Sequence, residues 1–294
     1  MKAVLLMAHG APRDLDEVED YVLRIRHGRP LAPDLMAVIR DRYRQIGGSP
    51  LLERTLKQAQ ALQRQLAGTE IGRIYIGMRY SAPFIHDGIA EMIRDGVTSI
   101  IGVCLAPQFS SLTIGAYQKA LDEAMEANGV SIPYLLVRSY ATHPGLIRAF
   151  ASRLREAREL HPEAAILFTA HSLPERVLQS ADPYDFEVKE TARLVALFTQ
   201  LKDWRFAYQS QGMTPEPWLG PSMESRLDEL SRQFAEVLVV PIGFVCDHVE
   251  ILYDVDIQYR EYAERIGMKF YRSQSLNDSS GFIDLLASLV NERL

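Results

Sequence analysis

The chain has few of the residues that mark a metal cluster, an oxidised scaffold or a nucleic-acid partner. It has two cysteines in 294 residues, Cys104 and Cys246, each in an apolar strand-like run. Without a CxxC pair, neither an iron-sulfur cluster nor a cysteine zinc site is expected, and both read as buried thiols of a reducing cytoplasm. Long apolar runs are also lacking. The longest, such as 100–106 and 237–242, have strand length and fall well short of the roughly 20 residues a membrane span needs. Residues 1–8 carry one lysine and lead directly into sequence of helical period, so they read as a first strand and not a signal peptide. Positive charge is in deficit, with 32 Lys and Arg against 38 Asp and Glu and a net charge of -6. That balance argues against nucleic acid as a partner. No GxGxxG follows the first strand and no Walker lysine follows a glycine loop, so nucleotide binding has no support.

What is present is an ordinary globular composition, 47% hydrophobic and 24% charged, in a chain long enough for two domains with their own cores. Strand-like runs at 3–8, 74–77, 100–105, 134–137, 165–169, 206–209, 237–242 and 269–271 alternate with helical period, clearest over 49–66, 84–95, 114–128 and 144–160. Such alternation gives an α/β fold with parallel strands covered by helices. Eight strands could close as a barrel or split into two doubly wound, Rossmann-like halves with parallel four-stranded sheets. The polar, broken stretch 139–144 favours the split. The expected domains are 1–140 and 141–274, with the last helix, within 275–294, joining the first.

Chemistry is expected where strands end, because open α/β sheets bind ligands beyond their carboxyl edges. One strand stops at His9 and another at His171, a residue suited to act as base or metal ligand. The long Pro- and Gly-rich loop at 210–221 suggests function. After the strand at 237–242 comes a dense set of acids. A helix beginning near Asp247 would place Asp247, Glu250, Asp254, Gln258 and Glu261 within about 80° of arc. Carboxylates stacked at i, i+4 repel by a few tenths of a kcal/mol, so the stripe is either a solvated face or a path for a divalent cation. His248 falls off that face and reads as a packed or capping residue. Imidazole with carboxylate, His171 with Glu250, suits Fe(II) and similar metals. A basic island of Arg24, Arg26, Arg29, Arg40, Arg42 and Arg44 suggests an anionic ligand, although six arginines are too many for one site. Tyr43, Tyr80 and Tyr117 are candidates to stack on a flat ligand.

The segments 170–174, 209–212, 217–221 and 243–254, with Arg42-Tyr43, 46–51, 83–85 and 105–110, resemble the signature segments of the ferrochelatase family over nearly the whole chain. Compact length and the absence of a cysteine-bearing extension make it most similar to the soluble bacterial enzymes of the coproporphyrin type. The resemblance implies a chelatase-like fold and insertion of Fe(II) into coproporphyrin III in haem biosynthesis. Protoporphyrin IX as substrate, or a non-catalytic tetrapyrrole or haem carrier, are the alternatives. It further implies His171 and Glu250 as catalytic, and His171, Glu250 and Asp254 as the metal residues. Arg26, Arg42, Tyr43, Ser49 and Tyr117 are implied to contact the porphyrin, with His9 standing where relatives of this type carry a tyrosine facing the product iron. Three further departures are Ser49 directly after Gly48, Arg79-Tyr80 in place of lysine and histidine, and Gln258 in place of a third acid. No cofactor beyond substrate iron is expected, except an auxiliary divalent cation near Asp254 that the shortened ladder would hold weakly. The expected protein is a cytoplasmic monomer making transient contact with a haem-pathway enzyme.

Overall fold

The computed structural model describes residues 1–212 and 214–294, so Met213 of the 210–221 loop lies outside the described residues. The first half runs β1 (Lys2–Ala8), α1 (Val18–Ile25), α2 (Pro33–Gln45), α3 (Leu51–Gln65), β2 (Ile71–Met78), α4 (Ile85–Arg94), β3 (Ser99–Cys104), α5 (Ile114–Ala127) and β4 (Tyr134–Val137). The second half runs α6 (Pro144–Leu160), β5 (Ala165–His171), α7 (Arg176–Gln179), α8 (Tyr184–Phe198), β6 (Arg205–Gln209), α9 (Met223–Leu230) and β7 (Glu236–Pro241). It continues through a π-helix (Glu250–Tyr259), α10 (Arg260–Arg265), β8 (Lys269–Arg272) and α11 (Ser280–Asn291). Among the described residues no helix is long and apolar enough to cross a membrane.

All strand pairs are parallel, in two sheets ordered β2-β1-β3-β4 and β6-β5-β7-β8. The barrel alternative is therefore not adopted. Strands such as β1 and β7 are buried nearly throughout because helices cover both faces, which explains their unbroken apolar runs. One connected core joins β1 and α3 of the first half to α6, β5 and β7 of the second. The last helix, expected to join the first half, packs on both α6 and α3 and so belongs to both halves. Its burial of Phe282, Ile283, Leu285, Leu286, Leu289 and Val290 requires two apolar partners.

Hydrogen bonds to the second half also fix the loop after β3. Gln108 Nε2 donates to Ile242 O at 3.1 Å, Phe109 N to Glu187 Oε2 at 2.6 Å, and Ser111 N to Asp182 Oδ2 at 2.7 Å. In each sheet the chain turns opposite ways from its central strands, β1 and β3 or β5 and β7. The loops after those four strands line one cleft between the halves.

Candidate active site

The cleft has two lobes, an outer one of 810 Å³ and an inner one of 330 Å³. His9, Tyr21, Tyr43, His171, Val249 and Glu250 border both, so they form the wall between them. His171 arrives at the last position of β5, paired with Gln209 of β6. The turn carrying the chain from β7 to Glu250 passes so close to β5 that a Cβ on Gly243 would lie 2.8 Å from Ala170 Cβ and 2.9 Å from its Cα. Only glycine allows that approach. At the end of β1, Gly10 has φ +91°, and a Cβ there would meet the Ser81 nitrogen at 2.9 Å. This bend turns His9 into the cleft.

Two imidazoles flank Glu250. His171 Nε2 lies 3.7 Å from Oε1, and His248 Nε2 lies 3.6 Å from Oε2. Each presents Nε2 because Nδ1 is engaged elsewhere. His171 Nδ1 is bonded to Ser172 O, and His248 Nδ1 donates to Cys246 O at 3.0 Å. His9 Nδ1 contacts the Tyr21 hydroxyl at 3.0 Å; that hydroxyl already donates to Gly10 O, so Nδ1 is the donor and Nε2 keeps its lone pair. The His9 ring stands 4.8 Å from Tyr80 and 6.2 Å from Tyr21 and is exposed to the cleft.

Charges follow from this packing. Burial alone would raise the Glu250 carboxyl, but the charges and hydrogen bond of His171, His248 and His9 hold it down to about 2. Burial pushes His9 down to about 4 against the pull of Glu250, so it is neutral at physiological pH. For His248 burial acts downward, and the bond and charge of Glu250 reverse it and raise the imidazole above its ordinary value. Asp254 is 5% exposed; burial and then the Glu250 charge push it up to about 6. It accepts from Ser210 Oγ at 2.6 Å and faces Arg42 Nη1 at 3.5 Å, and both favour its ionised form against the upward push of burial and Glu250.

The structure brings His171 and Glu250 face to face and places Asp254 beside Glu250 in the same lobe. Among the described residues no three His, Cys, Asp or Glu side chains form a group that could hold a metal ion. Asp247 leaves the stripe, because it bonds Asn277 and Ser275 and faces Arg272. The reason is that the helix begins at Glu250 rather than near Asp247 and winds as a π-helix. Glu250, Asp254 and Gln258 line the outer lobe, whereas Glu261 does not. His248, read from the sequence as packed away, is a partner of Glu250; helical phase misplaced it because no helix exists there.

Of the six island arginines, Arg26 and Arg42 line the outer lobe. Arg42 Nε is buried with no hydrogen-bond partner, and its guanidinium lies 5.1 Å from the Tyr253 ring centre. Tyr43 is buried on the dividing wall, while Ser49, Arg79, Tyr80 and Tyr117 border the inner lobe. Ser210, Gln211 and Leu219 of the long loop line the outer lobe. Ser172 Oγ donates to Leu219 O at 2.8 Å, fixing that loop beside His171.

Among solved structures, SirB from Bacillus subtilis with Fe3+ superposes with a TM-score of 0.62 at 11% identity, covering 99% of this chain and 94% of that one, a likeness of fold. A family profile described as ferrochelatase matches residues 1–294. The ferrochelatase of Herpetosiphon aurantiacus is 42% identical over 297 residues, covering 98% of this chain and 97% of the relative. The coproporphyrin III ferrochelatase of Bacillus subtilis is 36% identical over 303 residues, covering 99% and 97%. Because the match runs the length of the chain and the relatives share it nearly end to end, this protein belongs to the ferrochelatase family and is a porphyrin metal chelatase.

Proposed function

We propose that this ferrochelatase inserts Fe(II) into coproporphyrin III, with residues 1–140 gripping the porphyrin periphery and residues 141–274 presenting iron to the ring centre. The observation that carries the reading is His171 Nε2 facing ionised Glu250 at 3.7 Å on the wall common to both lobes. Insertion expels both pyrrole protons, so the site needs a base, a ligand that strips water from the metal, and a grip that bends the ring. With Nδ1 engaged, the free Nε2 of His171 takes a pyrrole proton or receives the iron, and Glu250 holds the resulting positive charge. Two side chains make a binding site for a passing metal; a full cage would retain it. His9, neutral and with Nε2 free, is a ligand for iron in the product from its own side of the cleft.

Coproporphyrin III carries more propionates than protoporphyrin IX, and the cleft offers Arg26, Arg42 and Arg79 with a spare buried donor on Arg42. Tyr43, Ser49 and Tyr117 contact the ring or its substituents. An auxiliary divalent cation at Asp254 would have to displace Arg42. The product then passes by transient contact to a haem-pathway enzyme.

The test is Fe(II) insertion into both porphyrins side by side, by the parent and by His171→Ala. Coproporphyrin III is expected to turn over faster, and the variant to lose roughly 10²- to 10⁴-fold in rate while still binding porphyrin. Preference for protoporphyrin IX would overturn the substrate, and unchanged turnover in the variant would overturn the role of His171.

A further inference from the structure

We propose that Arg272, at the end of β8, is a positioning residue that holds the π-helix in its wide register and so sets Glu250 and Asp254 against the cleft. Its side chain is 13% exposed and each of its three nitrogens donates a hydrogen bond. Nε and Nη2 form a fork on Asp256, at 2.7 and 2.8 Å, while Nη1 donates to Ser273 O at 3.0 Å and Ser275 Oγ at 3.3 Å. Nη1 also faces Asp247 Oδ1 at 3.4 Å. Asp247 and Asp256 flank the run that contains His248, Glu250 and Asp254. One guanidinium therefore grips both ends of the segment that presents the carboxylates.

A π-helix needs such a grip. Its i→i+5 ladder is rare and seldom extends beyond one turn, whereas this one spans ten residues. Released from its anchors, the segment would relax toward the α period, turning Glu250 relative to Asp254 and withdrawing it from His171. At the junction with α10 a second arginine ties the same residue to β8. Arg260 Nε donates to Asp256 O at 2.9 Å and Nη1 to Phe270 O at 2.8 Å. The side chain and main chain of Asp256 are thus both anchored to one strand. Lysine keeps the charge but cannot form the fork, so charge and geometry are separable.

The experiment compares the parent with Arg272→Gln and Arg272→Lys by amide exchange and by Fe(II) insertion kinetics. The kinetic arm rests on the ferrochelatase reading and the exchange arm does not; a parent that inserts no metal would defeat that reading while exchange still decides this proposal. Both variants are expected to lose protection in 250–259 while β1 and β5 keep theirs. Turnover should fall roughly 10- to 100-fold with porphyrin affinity unchanged, as when a group orienting a metal residue is removed. Protection of 250–259 as in the parent, loss spread over both sheets, or parental turnover would overturn the proposal. Should Arg272→Gln fail to fold, Asp256→Asn, at a side chain 24% exposed, is measured with the same outcomes deciding.

Discussion

Asp254 and Glu250 share a helix face and a cleft, yet they titrate in opposite directions. Burial acts upward on both, but Glu250 has imidazoles around it, whereas Asp254 has Glu250 itself as a neighbour. With its folded value raised from 3.8 to about 6, Asp254 binds its proton more tightly in the folded chain than in the unfolded one. The stability this contributes is complete below the unfolded value and is lost as pH rises through the folded one. Asp254→Asn is therefore expected to exceed the parent by about 1–3 kcal/mol at alkaline pH, the gap closing as pH falls below 3.8. Urea unfolding across pH checks this, and a gap that widens on acidification would refute it. At this scale His171 and Glu250 were legible because a strand end and an acid after a glycine turn are visible as letters. The part of His248 was not, since its contact with Glu250 depends on a turn whose path helical phase does not describe.

Among the elements, all eight strands were legible, most plainly β1, β3, β5 and β7, where burial on both faces leaves no polar alternation to confuse them. The π-helix was not. Its acids recur at four-residue spacing, which an α-helix also permits, so periodicity read one in its place and started it too early. The turn before it hangs on Gly243, where the obstructing atoms belong to the backbone and Cβ of β5 and cannot swing aside. Gly243→Ala is expected to cost about 1–3 kcal/mol of stability and to lower turnover by moving Glu250 away from His171. Denaturant midpoints and kcat measured together check this; parental values for both would show that the turn yields without cost.

For the whole molecule, one apolar core and a shared last helix join halves that the sequence divides at 140. Their cooperation could not be read from letters, because an amphipathic helix does not announce how many partners cover it. Deleting residues 275–294 removes Phe282, Ile283, Leu285, Leu286, Leu289 and Val290 from contact with α3 and α6. At roughly 2 kcal/mol for each large apolar side chain, the loss rivals a typical stability of roughly 5–15 kcal/mol. The shortened chain is expected to aggregate or to lose its near-ultraviolet dichroism; a folded monomer with a cooperative melt would refute this. The repeated strand order carries a consequence of another kind. If β1 corresponds to β5, then His9, just past one, and His171, at the tip of the other, are counterparts in two copies of a single unit. The jaws thus share a topology and differ by neighbours: His9 lies among phenols, while His171 faces an acid. The repeated topology in this way makes an enclosure with two chemically distinct faces.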